Sequence, residues 1–204
     1  MCFSAPASFI ASGSLVAIGG ASLAAAKKED KLLALVPLFF GIQQFTEGIQ
    51  WLFINAGTSS LWAGYGFLFF AFIVWPIYVP TFVYILDKKR RPLLKWFIAL
   101  GSVIGICSLA ILITQSLAIH KVNACIGYDI SIPHHYLGDF TYLVVIFGSL
   151  FCSSIKTFRW IGALAFILAV VAWLFFTLTF TSVWCFFAAV ISALFLVYIK
   201  EKKI

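Results

Sequence analysis

The sequence predicts an all-α fold, a polytopic transmembrane bundle of seven helices. Three observations predict it: an apolar composition, seven apolar stretches, and basic residues confined, apart from Lys121, to alternate gaps between them. Of 204 residues, 63% are hydrophobic and 10% charged, where a soluble domain carries roughly 25% charged residues. A span needs about 20 apolar residues to cross a hydrocarbon core of about 30 Å. A chain of 204 residues with short connections therefore holds seven spans and leaves no room for a soluble domain. A single transmembrane domain over residues 1–204 is expected.

In chain order, the spans are expected near Ser8–Ala26, Leu32–Ala56, Tyr65–Leu86, Leu94–Ala118, Leu137–Ser154, Trp160–Thr177 and Ser182–Ile199. Lys27, Lys28 and Lys31 follow the first span. Lys88, Lys89, Arg90 and Arg91 follow the third, with Lys95 just beyond, and Lys156 and Arg159 follow the fifth. Lys200, Lys202 and Lys203 follow the seventh. Cytoplasmic loops retain Lys and Arg, so these clusters share the inner face, placing the N-terminus outside and the C-terminus in the cytoplasm. The formal charge of +7 does not indicate a nucleic-acid partner, because the cations sit in short juxtamembrane clusters whose nearer partner is the lipid bilayer. The multi-pass protein is expected in a bacterial cytoplasmic (inner) membrane.

The first span has no basic residue before it and several after it, the reverse of a signal peptide's charge order. Its many Ala, Ser and Gly residues suit close approach of neighbouring helix backbones. The second span carries Gln43, Gln44, Glu47, Gln50 and Trp51, which share one broad face at helical spacing. Glu47 is the acidic residue deepest in any span. A carboxyl there is either neutral interhelical glue or a group that binds a ligand or relays a proton. It lies in the outer half of its span, so a site around it is reached from outside. In the third span, Trp75-Pro76-Ile77-Tyr78-Val79-Pro80 predicts a kink or local unwinding near mid-membrane, with freed carbonyls and Tyr78 available to a buried partner.

The longest outer loop, roughly His120–Tyr136, holds His120, His134 and His135 together with Cys125 and Asp129. Adjacent histidines diverge on most backbones and no spaced ligand motif accompanies them, so no metal site is assigned. Cys2, Cys125 and Cys185 fall on the outer side, where a disulfide is permitted, and Cys2–Cys185 or a pairing of either with Cys125 remain open. Cys107 and Cys152 read as small apolar fillers. The sequence names no cofactor.

Four motifs in order, Met1-Cys2-Phe3-Ser4-Ala5, Gln43-Gln44-x-x-Glu47-Gly48 with Trp51, Trp75-Pro76 with Pro80, and Ser182-Val183-Trp184-Cys185-Phe186, together resemble an uncharacterised family of bacterial integral membrane proteins. The resemblance runs nearly the whole chain. It implies a multi-span membrane protein whose motif positions, Trp184 among them, belong to one site, and it implies no activity.

No span-borne lysine is available for a retinal Schiff base, and no span-borne histidine for bis-histidine haem or an intramembrane zinc hydrolase. Three readings remain. The first is a transporter, channel or sensor that binds or moves a small molecule or ion at Glu47. The second is a membrane enzyme, or a redox or metal site, using Glu47 with Cys2, Cys185 or His134. The third is a structural membrane protein in which the same residues only pack. Oligomeric state is not encoded legibly.

Overall fold

In the computed structural model, residues 4–130 and 135–201 are described, with backbone only for 135–137. Nine helices and one hairpin are assigned among these residues: α1 Ala5–Ala25, α2 Lys31–Asn55, α3 Leu61–Phe69, α4 Trp75–Leu86, α5 Arg91–Thr114, strands β1 Leu117–Val122 and β2 Cys125–Ile130, α6 His135–Phe151, α7 Lys156–Phe175, α8 Phe180–Ser192 and α9 Leu194–Glu201. Among the described residues, six helical segments are long and apolar enough to cross a membrane: Ala5–Ala25, Lys28–Asn55, Leu61–Leu86, Arg91–Thr114, Lys156–Phe175 and Thr177–Glu201. The expected fifth span corresponds to α6, whose 17 residues reach about 26 Å at 1.5 Å per residue. Large apolar side chains face outward, among them Ile10, Ile106, Ile113, Trp173 and Phe175. In water such surfaces associate; hydrocarbon solvates them.

The chain divides into two compact units. The first comprises residues 1–67, 118–129 and 168–204, and the second residues 68–117 and 130–167. In the first unit, α1 and α2 lie antiparallel at very short separation. A Cβ on Gly19 would stand 2.8 Å from the Leu38 backbone nitrogen, and one on Gly41 3.2 Å from the Ser12 carbonyl. Ser12 Oγ donates to the Gly41 carbonyl at 2.8 Å, satisfying a hydroxyl that no water can reach. The small residues of the first span thus serve backbone approach, and α8 and α9 complete the packing on α2.

In the second unit, α4 packs on α5 and α6. The predicted kink at Pro76 and Pro80 takes the form of a π-helical turn over Phe70–Val74, after which the Trp75 N–H reaches back to the Phe70 carbonyl. Widening the helix by one residue relieves the clash between a proline ring and the preceding turn. Pro80 has no N–H for the Pro76 carbonyl. That carbonyl faces Gly101 of α5 so closely that a Cβ on Gly101 would stand 1.9 Å from its oxygen. A Cα–H···O contact of this kind partly compensates the missing donor. It also covers the carbonyl that the sequence offered as a ligand.

At the end of α4, Asp87 is buried and accepts five hydrogen bonds. They come from Lys89 N at 3.1 Å, Arg90 N at 3.3 Å, Ser153 Oγ at 2.9 Å, Ser154 N at 2.5 Å and Ser154 Oγ at 2.6 Å. It ties the α4–α5 turn to the α6–α7 turn. Burial works against the ionised carboxyl, but the Ser154, Ser153 and Arg90 donors outweigh it and hold Asp87 below the usual carboxylate range.

Gly101→Ala forces α4 and α5 apart and should cost several kcal/mol, read as a fall in melting temperature, whereas Gly13→Ala, whose Cβ meets nothing within 4 Å, should be neutral. Because the Asp87 pKa is depressed on folding, its contribution is full above the unfolded value of about 3.9 and is lost as pH falls through the folded value. Asp87→Asn should therefore lower stability at pH 7 by about 2 kcal/mol and flatten the acid limb of the stability–pH curve, and an unchanged acid limb would remove Asp87 from the account.

Candidate functional site

The second span builds the site, because its polar residues recur at intervals that keep them on one side. At about 100° per residue, Gln43, Gln44, Glu47, Gln50 and Trp51 fall within an arc of about 120° on α2. Gln43, Gln44, Glu47 and Gln50 are each 0% exposed and Trp51 1%. Such a face can only be met by other polar groups or left at a cost of about 1–3 kcal/mol per unsatisfied group.

Three elements of the first unit meet it. From α8, Ser182 Oγ donates to Glu47 Oε1. One turn along α8, the Cys185 thiol lies beside the Gln43 side chain, so the two helices form two polar rungs. From α3 and the turn before it, the Phe67 carbonyl accepts from Gln43 Nε2 at 3.5 Å, and the Ser60 N–H donates to Gln50 Oε1 at 3.3 Å. From β2, the Tyr128 ring stacks on Phe67 with centroids 4.8 Å apart. Burial pushes the Tyr128 phenol well above its ordinary value, and the Cys185 thiol adds to the rise. Tyr128 therefore stays a neutral hydroxyl.

Several of these buried atoms have no hydrogen-bond partner among the described residues: Gln44 Oε1 and Nε2, Gln50 Nε2, the Tyr128 hydroxyl and Ser8 Oγ. The α1–α2 register, with Gly48 against Phe9 and Gly41 against Ser12, sets Ser8 level with Glu47. The orphan groups thus come from α1, α2 and β2 of one unit. They comprise N–H and O–H donors and a carbonyl acceptor, of which Gln44 and Gln50 flank Glu47 by about one turn on either side along α2.

The hairpin covers the end of this arrangement. Leu117 and Ala118, expected to end the fourth span, and residues 120–130 of the expected outer loop pair as β1 and β2, turning at Asn123, whose φ of 55° is the left-handed conformation that Asn tolerates. Ile126 packs with Trp51 and Ala5, and the Lys121 ammonium sits 5.7 Å from the Trp51 ring centroid. Lys121, the one cation off the alternate-gap pattern, thus has a local partner worth about 0.5–2 kcal/mol.

The residues singled out in the sequence are placed as follows. Gln43, Glu47 and Cys185 come together, with Gln44 and Trp51 on the same face and Trp184 buried in α8. Tyr78 lies in the second unit, packed edge-on against Trp75 and Phe82. Cys125 is disulfide-bonded, whereas Cys185 is free. A Cys2–Cys185 or Cys125–Cys185 bridge, both left open by the sequence, is therefore corrected: Cys185 is a buried thiol inside the polar face. Cys2 and His134 lie outside the described residues, and of His135 only the backbone is described. His120 faces Asp129 across the hairpin at 3.5 Å, both well exposed, away from the buried face. Among the described residues no group of three or more His, Cys, Asp or Glu side chains could hold a metal. Ser182 belongs to the last of the four motifs, whereas Ser8 and Tyr128 were not picked out: Ser8 is one of several small residues of the first span, and Tyr128 lies in a segment without periodic signal.

A family model matches residues 1–204. The chain belongs to DUF6629, a family of unknown function. No curated protein and no solved structure matches it. Membership of DUF6629 agrees with the uncharacterised family that the motifs resemble, and it leaves the buried face to be read from its own chemistry.

Gln44→Leu replaces a buried amide lacking partners with an apolar side chain of similar size. It should raise the melting temperature of the ligand-free protein, by the equivalent of about 1–3 kcal/mol. A clear fall would show that the amide is satisfied in the resting protein.

Proposed function

We propose that this protein is a multi-pass membrane protein that binds or moves a small polar molecule or ion at the buried face of α2, with Glu47 and Gln44 as its principal contacts. In this reading all seven apolar segments cross, α6 included, with the basic loops on the cytoplasmic side of a bacterial inner membrane. The site then lies in the outer half of the bilayer beneath the β1–β2 hairpin.

One observation carries the reading. Gln44 is fully buried with neither amide atom partnered, beside a carboxyl that Ser182 holds in place. A purely structural polar face closes on itself, because each orphan group in an apolar interior destabilises the fold. Here the orphan donors and the acceptor lie on the same side of α2 as the carboxyl, as a binding site requires. The Gln43, Gln50 and Ser182 bonds hold the surrounding side chains in fixed rotamers, so little ordering is needed on binding.

The test is native mass spectrometry of gently purified wild type, Glu47→Gln and Gln44→Leu. Wild type should retain a small-molecule or ion adduct that both variants lose while remaining folded. Identical spectra for the three folded proteins, with no adduct lost in either variant, would leave the face a packing surface and overturn the proposal.

A further inference from the structure

Outside the α2 face, the feature with the most developed chemistry is an open groove of about 630 Å³ in the second unit, lined by Tyr84, Arg91, Pro92, Lys95, Trp96 and Ala99. It is built by the last turn of α4 and the first two turns of α5. Arg91 Nε and Nη2 donate to the Tyr84 and Ile85 carbonyls at 3.3 and 3.4 Å, and its guanidinium lies 5.2 Å from the Tyr84 ring centroid. Those contacts satisfy carbonyls at the end of α4 through Nε and Nη2 and hold the guanidinium against the groove wall.

Lys95 follows Arg91 by one helical turn, so both cations stand on the same side of α5. Trp96 is 75% exposed at the adjoining position. Lys88, Lys89 and Arg90 precede them, giving five cations from Lys88 to Lys95, against the single carboxylate of Asp87, which is consumed by its serine and backbone donors. Past Trp96 the groove runs onto Ala99, and beyond it the apolar surface of α5 is exposed at Leu100 and Val103. A positive end, an interfacial indole and an apolar continuation in that order match a molecule with an anionic head and an alkyl tail.

We infer that the α4–α5 groove is a binding site for one anionic phospholipid, its phosphate between Arg91 and Lys95 and its acyl chain along Trp96, Ala99 and the exposed face of α5. The site is independent of the α2 face. A lipid held there would cross-brace α4 and α5 next to the Asp87 clasp, so its occupancy should raise the stability of this unit.

Native mass spectrometry in detergent doped with phosphatidylglycerol or with phosphatidylcholine of the same acyl chains tests this. Wild type should retain one phosphatidylglycerol in clear preference to phosphatidylcholine. Lys95→Ala and Trp96→Ala, both at exposed positions, should keep the wild-type melting temperature without lipid, and Lys95→Ala should lower phosphatidylglycerol retention about fivefold, as expected for one cation near a membrane surface. Lys156→Ala, on the exposed start of α7 outside the groove, should leave retention unchanged. Equal retention of the two lipids, or an equal loss in Lys156→Ala, would reduce the effect to general surface charge and overturn the site. Displacement of phosphatidylglycerol by millimolar inorganic phosphate would also overturn it, by showing that the groove takes the free anion.

Discussion

The need to bury four polar side chains on one helix, with no water to satisfy them, governs the first unit. Gln43, Gln44, Glu47 and Gln50 cannot face hydrocarbon, so α2 must be enclosed on that side. The enclosure is asymmetric. Toward α1, Gly41 and Gly48 let the backbones close up until Ser12 can cap a carbonyl. Toward α8, Ser182 and Cys185 supply the side chains that meet Glu47 and Gln43. The hairpin adds Tyr128 and an apolar plug around Ile126 and Trp51. What remains after these bonds are made is a small set of buried groups without a partner among the described residues, on which the proposed binding face rests.

The second unit meets the same solvent constraint in the backbone. Two prolines in α4 remove two N–H donors, and the chain answers with a π turn ahead of them and a bare glycine over the Pro76 carbonyl. At its polar end, Asp87 gathers the free donors of two turns into one buried clasp. These devices leave no receptive group at the proline break, where the sequence suggested one, and they account for the rigid α4–α5 pair that frames the basic groove.

The long apolar helices were legible because hydropathy acts along the chain, and α2's polar face was legible because one helix carries all of it at regular spacing. The partners were less so. Tyr128 matters only through where β2 is folded and has no pattern of its own, and Ser182, though it opens the last motif, gains its role from where α8 places it against Glu47. The hairpin was hidden because Leu117 and Ala118 continue an apolar run while the residues after them mix polar and apolar types. Strand pairing there depends on the Asn123 turn and on the apolar contacts of Ile126 with α2. Asp87 reads as a solvated acid among cations until the α6–α7 turn is brought to it. The cysteines were ambiguous for the same reason: pairing is a fact of distance, and Cys185 is free while Cys125 is bonded.

The most direct measurement is a cryo-EM map of the protein in lipid nanodiscs, at a resolution that shows side-chain rotamers around α2. The account predicts density not belonging to the protein within hydrogen-bonding distance of Gln44 and the Tyr128 hydroxyl, adjoining the Glu47 carboxyl. A map in which Gln44 turns onto a protein partner and the side chains close over the face without such density would contradict it.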